Sequence, residues 1–274
     1  LDQNIFQYTV TATDAAGIYV TGGTTVTITG TSKSGVVKVG AAPYAKAAVS
    51  TTGYPESNGN SSKTPTGDVS ITNVSKTTST TTGAVTGTYS TSAATVYTNG
   101  ATTVSVKGAG TTTVTDANTL ALVSATGVTA VAGTSKLSTV NLAGLSGNAT
   151  IKSDAISTIS VSDTLSARTV TVSNSGTTGA NAGAINLQVS NVGTGDGTRL
   201  TLDNATATSV NVSSAAASAY NTVGSTATNS GSKSWVTLTT PKATSIAMTN
   251  DKSVDLGDLS AAGLAKLATV DGSG

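Results

Sequence analysis

Apolar and polar residues alternate in short runs along most of this chain, and that period of two limits what it can fold into. Examples are Thr24-Thr25-Val26-Thr27-Ile28, Thr103-Val104-Ser105-Val106 and Thr139-Val140-Asn141-Leu142. The pattern recurs in Thr158-Ile159-Ser160-Val161, Thr169-Val170-Thr171-Val172 and Ala184-Ile185-Asn186-Leu187-Gln188-Val189. It continues through Arg199-Leu200-Thr201-Leu202, Trp235-Val236-Thr237-Leu238 and Ser253-Val254-Asp255-Leu256. Alternation over four to six residues describes strands with one buried face. Gly, Asn, Asp and Ser fill the gaps, as tight turns require. Thr and Val, both β-branched, favour the same extended backbone. The chain is therefore expected to be all-β, with Val140, Leu142, Ile159, Val161, Val170 and Val172 facing inward.

The core must be thin and repetitive. The 274 residues include one Trp, one Phe and seven Tyr, so large rings supply little burial. Val, Ile, Leu and Ala must provide it. Twelve of the acidic residues are Asp and only Glu56 is Glu, a bias toward turns rather than helices. With 14 basic and 13 acidic residues the net charge is +1. That excludes the basic patch of a nucleic-acid-binding protein and a polybasic membrane anchor. No run approaches the ~18–20 apolar residues of a membrane-spanning helix, so no membrane insertion is expected. The chain starts at Leu1 without Met or a signal segment and stops in the turn Asp271-Gly272-Ser273-Gly274. Both ends read as boundaries within a longer surface protein.

Two parts are expected, meeting near residues 115–120. Residues 1–118 form a Thr/Gly-rich β domain, sandwich-like or irregular, and residues 119–274 a parallel β-solenoid (β-helix). One continuous β-solenoid is the alternative. Within the first part, Tyr19-Val20-Thr21-Gly22-Gly23-Thr24-Thr25-Val26 is echoed by Tyr97-Thr98-Asn99-Gly100-Ala101-Thr102-Thr103-Val104, 78 residues later (97 − 19). In each copy the Gly-containing pair can form a tight turn between two strands. Around residues 44–66 the alternation fades. Pro43, Pro55, Pro65 and Glu56 fall in or beside that stretch, which reads as a long surface loop. In the second part the short strands begin at Val140, Ile159, Val170, Ile185, Leu200, Val210, Val236, Ile246 and Val254, spaced 8 to 26 residues apart. Such spacing suits solenoid coils that each contribute two or three strands to stacked parallel sheets. The wide gap from Val212 to Trp235 is expected to bulge from the stack. A short helix of one or two turns is expected over Asp258–Leu267, capped by Asp258 or Ser260, with Ala268-Thr269-Val270-Asp271 opening another rung.

Catalytic chemistry finds few candidates. The chain has no His and no Cys, which removes the commonest general base, thiol nucleophiles and zinc ligands. No Gly-x-Ser-x-Gly elbow, phosphate loop or dinucleotide fingerprint occurs. Asp154 with Asp163, and Asp251 with Asp255 and Asp258, are candidate carboxylates for sugar cleavage, but capping of a turn or helix explains them. The chain is read as a non-enzyme. Calcium needs several oxygens from neighbouring carboxylates and carbonyls, and Asp251, Asp255 and Asp258 are the best candidate cluster. The alternative for these acids is turn and helix capping. Trp235, the one Trp, either covers the end of a thin core or sits exposed as a platform for sugar. Arg168 and Arg199 are the only Arg.

Leu137-Ser138-Thr139-Val140-Asn141-Leu142-Ala143-Gly144-Leu145, Ala155-Ile156-Ser157-Thr158-Ile159-Ser160-Val161 and Asp258-Leu259-Ser260-Ala261-Ala262-Gly263-Leu264 resemble bacterial S-layer proteins and large repetitive adhesins exported by type I secretion. The resemblance implies an extracellular, cell-surface structural role, self-assembly into a lattice or fibre, and calcium bridging between subunits. The Gly- and Asp-rich nonapeptide that binds calcium in those secreted proteins is absent. Gly193-Thr194-Gly195-Asp196-Gly197 is its nearest, unrepeated match. A stalk or glycan-binding module of an adhesin, with cell-surface polysaccharide as partner, is the alternative. Ice binding is a third reading, because Thr-x-Thr on a flat solenoid face can order water. The Thr-x-Thr units do not recur at one fixed sequence spacing, so an aligned ladder is not evident from the sequence.

Overall fold

In a computed structural model of the chain, residues 7–9, 18–20, 22–30, 36–40, 64–73, 77–81, 84–88, 93–117, 122–123, 129–130, 134–173, 183–214, 233–250 and 253–273 are described. Their regular secondary structure is all strand apart from short 3-10 turns. The first strands are β1 (Gln7–Thr9), β2 (Ile18–Val20), β3 (Val26–Gly30), β4 (Val37–Val39) and β5 (Val69–Asn73). A hairpin of β6 (Thr77–Thr81) and β7 (Ala84–Thr88) follows, then β8 (Ala94–Thr98), β9 (Thr103–Lys107) and β10 (Thr112–Asp116). After a second small hairpin, β11 (Leu122–Val123) with β12 (Thr129–Ala130), come β13 (Thr139–Ala143), β14 (Ala149–Lys152), β15 (Thr158–Thr164) and β16 (Arg168–Ser173). The remainder are β17 (Ala184–Val192), β18 (Leu200–Asn204), β19 (Ser209–Ser214), β20 (Lys233–Thr239), β21 (Ser245–Asn250), β22 (Ser253–Asp255) and β23 (Thr269–Asp271).

Apart from the two hairpins, successive strands alternate between two sheets. The first sheet runs β1-β3-β5-β9-β13-β15-β17-β19-β21-β23 and the second β2-β4-β8-β10-β14-β16-β18-β20-β22. Every pairing in both is parallel, while the two hairpins are antiparallel. The described strands thus form a parallel β-solenoid with one strand per sheet in each rung. At ~4.8 Å between strands, ten strands make a stack about 43 Å long. The pairing does not break between residues 118 and 119, because β9 pairs with β13 and β10 with β14. Of the arrangements expected for the N-terminal strands, these pairings are those of the continuous stack. The tight turn after Thr98 joins β8 and β9, which lie in different sheets, so it is a corner of a rung. The expected loop over 44–66 lies outside the described residues except for 64–66, and so does most of the expected bulge between Val212 and Trp235.

Register converts the alternation into apolar columns. In the first sheet Val26, Val69, Val104, Val140, Ile159, Leu187 and Val212 are successive partners. In the second, Val39, Val96, Val114, Ile151 and Val172 are. All are buried, and the six residues expected to face inward are at most 4% exposed. Fully burying each such side chain stabilises by about 1.5–3 kcal/mol relative to exposure.

The corners explain the residues between strands. At one end of the first sheet, Gly108, Gly144, Asp163 and Asn191 have φ of 69°, 60°, 50° and 56°. Each follows a residue paired in register with a neighbouring rung, so left-handed positions stack on one another. Gly adopts that conformation without cost, and Asn and Asp tolerate it best among the rest. At the end of the second sheet, a buried Thr98, Ser153 or Asn204 bonds the turn that follows. Thr98 Oγ1 accepts from Ala101 N at 2.9 Å, and Asn204 Oδ1 from Ala207 N at 3.0 Å. Ser153 Oγ accepts from Ala155 N and donates to the Leu137 carbonyl at 2.7 Å. In each case the residue three places on, Ala101, Ile156 or Ala207, is buried. The Gly100 corner leaves no room: a Cβ there would stand 2.1 Å from the Thr66 carbonyl oxygen.

The helix expected over Asp258–Leu267 is a single 3-10 turn, Ala262–Leu264. Its backbone bonds to the stack instead of extending itself, with Thr240 N donating to the Gly263 carbonyl at 2.7 Å, and Leu264 is buried. The rung expected after it is present, since β23 pairs with β21.

Candidate functional site

Charged side chains are concentrated on the outer face of the second sheet near its C-terminal end. Leu200 and Leu202 point inward on β18, and Val236 and Leu238 on β20. Alternation then turns Lys233 and Trp235 outward. Val236 pairs with Leu200 and Trp235 with Asp255. Arg199, one residue before Leu200, therefore shares a row with Trp235 and Asp255.

Arg199 binds together three consecutive rungs. Its Nη1 donates to the Val236 carbonyl at 3.1 Å and to the Asp255 carbonyl at 3.0 Å. Nη2 donates to Asp255 Oδ1 at 2.8 Å and also to Asp196. Lys233 Nζ lies 2.7 Å from the other carboxylate oxygen of Asp255. Both cations lie against the indole of Trp235, Arg199 at 5.0 Å and Lys233 at 4.3 Å from the ring centre. Each such contact contributes about 0.5–1 kcal/mol at a partly exposed site. The Arg199 side chain is only 14% exposed, whereas Asp196 is 84% exposed. Asp255 is therefore the partner that counts, because solvent screens the Asp196 pair.

The electrostatics follow from these bonds. The Lys233 hydrogen bond lowers the affinity of Asp255 for a proton; burial opposes this, and Arg199 and the Gly257 N–H add to the lowering. Its carboxyl is held well below the usual carboxylate range. Burial works against the charge on Arg199, but its bonds to Asp255 and Asp196 prevail and raise its pKa. The result is a closed network of two cations, two carboxylates and an indole.

The three candidate calcium ligands are not used alike. Asp255 is occupied by Lys233 and Arg199. Asp258 turns back on its own backbone, accepting from Ser260 N at 2.8 Å and Ser260 Oγ at 2.6 Å. Those two bonds lower its pKa. Asp251 lies outside the described residues. Among the described residues, no three acidic side chains are grouped as a metal site would require. The fragment Gly193–Gly197 leads into a 3-10 turn, Asp196–Thr198, and its carboxylate faces Arg199. Of the carboxylate pair Asp154 and Asp163, Asp163 is buried at a rung corner and accepts from Asn191 Nδ2 at 2.9 Å. Trp235 faces outward from the sheet and so does not close the core. Arg199 is the residue that sequence reasoning passed over. Its one signal was rarity, as one of two Arg in the chain.

No protein-family model, curated protein or solved structure matches the chain. Among the described residues no helix is long and apolar enough to cross a membrane.

Proposed function

We infer that the chain is a non-enzymatic structural segment of a bacterial cell-surface protein of S-layer type, which associates with copies of itself into a lattice or fibre. The observation that carries this reading is the one-dimensional stack with a mostly uncharged outer face on its first sheet. Outward positions of the first sheet are occupied by residues such as Ser70, Ser105, Asn141, Ser160, Gln188 and Ser213, partners in register. Uncharged hydroxyl and amide surfaces lose less on desolvation than charged ones, and a repeating array multiplies weak contacts. Association is non-covalent, since the chain has no Cys.

Sedimentation velocity and negative-stain electron microscopy, with and without calcium, test this. Sheets or fibres at micromolar concentration are expected. Monomeric rods in both conditions would overturn self-assembly and favour the stalk of an adhesin.

A further inference from the structure

Insertions of unequal length hide a regular surface in this chain. On the outer face of the second sheet, Thr95, Thr113, Thr150, Thr171, Asp203 and Thr239 are successive partners in register. Two residues earlier on the last three of these strands, Thr169, Thr201 and Thr237 form a second column beside the first. The Thr-x-Thr units look irregular in the sequence because segments between strands, such as the β11–β12 hairpin, leave the stack and return. Folding removes the irregularity.

Three properties distinguish this face. First, its hydroxyls are available: the Thr side chains of both columns make no hydrogen bond to the protein among the described residues. On the first sheet two pairs of outward side chains bond to each other instead, Asn141 to Ser105 at 3.1 Å and Asn211 to Asn186 at 2.8 Å. Secondly, charge is confined to a few positions of the face. Lys38 precedes Thr95 in the first column and Asp203 interrupts it, while Lys152 and the Arg199–Asp255–Lys233 network flank the Thr. Thirdly, it repeats in two directions. Rungs are ~4.8 Å apart and alternate residues on a strand ~6.7 Å apart. Thr is stiff at χ1, so each side chain holds its methyl and hydroxyl in a similar orientation from rung to rung.

We propose that the Thr columns of the second sheet bind ice. The oxygen rows on the prism faces of ice repeat at similar distances in two directions. Methyl groups spaced in this way order the water between columns into cages, and the hydroxyls hydrogen-bond that water to the protein. Ions hold their own hydration shells, so the contact rests on the runs of Thr between the charged positions, such as Thr95, Thr113, Thr150 and Thr171. A parallel stack of this length keeps the spacing constant over several rungs, which a single hairpin cannot.

Thermal hysteresis and ice-recrystallisation inhibition of the purified chain test the proposal. Faceted ice crystals and hysteresis that grows with protein concentration are expected. Thr171→Tyr, which breaks the centre of the column with another strand-favouring residue, should at least halve the hysteresis. Thr158→Tyr on the first sheet should leave it unchanged. Thr239→Tyr serves as the second column variant if Thr171→Tyr lowers the melting temperature. Absence of both hysteresis and faceting in the folded wild-type chain overturns the proposal. So do full activity in both column variants and equal loss in Thr158→Tyr. Self-association is measured separately, so either reading can fail without the other.

Discussion

Arg199 and Asp255 stand 56 residues apart in the chain and meet at 2.8 Å across the outer face of the second sheet. The bond spans β20, which lies between their strands, and Arg199 also holds the Val236 carbonyl of that middle strand. Removing the anion leaves two cations facing each other beside Trp235. Asp255→Ala is expected to lower stability by about 1–3 kcal/mol, read as a fall in the urea midpoint. Lys233→Met, which removes the more exposed cation, should cost less. Equal stability of wild type and Asp255→Ala would show that solvent screens the network.

The same network makes stability depend on pH. Lys233, then Arg199 and the Gly257 N–H, hold the folded pKa of Asp255 below its unfolded value, against the effect of burial. The unfolded value is about 3.9. A depressed acid stabilises the fold above the unfolded pKa, and the contribution is lost as pH falls through the folded one. Between pH 7 and pH 5 the Asp255 contribution should be constant. Below about pH 4 the wild type should lose more stability than Asp255→Asn, as measured by urea unfolding at each pH.

Columns and faces should respond oppositely to truncation. Ile159 is fully buried between Val140 and Leu187, and Ile159→Ala should cost about 2–5 kcal/mol. Ser160→Ala, one residue on and facing out, should stay within ~0.5 kcal/mol. Similar losses in the two variants would mean that the register differs from that described.

Corner residues carry a test of their own. Asn204 accepts from Thr206 N and Ala207 N, and Asn204→Ala strands both donors at a buried corner, at about 1–2 kcal/mol. Asn204→Ser should recover part of that loss, because Ser153 occupies the same kind of corner. Gly100→Ala should destabilise through its clash with the Thr66 backbone, which no rotamer relieves.

Calcium is the remaining check on the acidic cluster. With Asp255 engaged by two cations and Asp258 by Ser260, EDTA or added calcium should leave the melting temperature unchanged. A calcium-dependent rise that disappears in Asp258→Ala would show that these carboxylates rearrange around an ion.

The sequence by itself determined the all-β class, the inward set of side chains and the turn chemistry, because each is a local property. Alternation is read two residues at a time, and Asn, Asp and Gly declare the corners through their own backbone preferences. The 3-10 turn at Ala262–Leu264 already went beyond the sequence, since its backbone partner is Thr240 on another rung. Only the tertiary structure decided which strands are neighbours. Parallel pairing joins residues separated by insertions of arbitrary length, and no local pattern encodes where an insertion leaves and rejoins the stack. For that reason Asp255, grouped by sequence with Asp251 and Asp258, is bound instead to Arg199. The Thr-x-Thr units align for the same reason: register is set by burial of Val, Ile and Leu on the inner face, and the outer residues follow it.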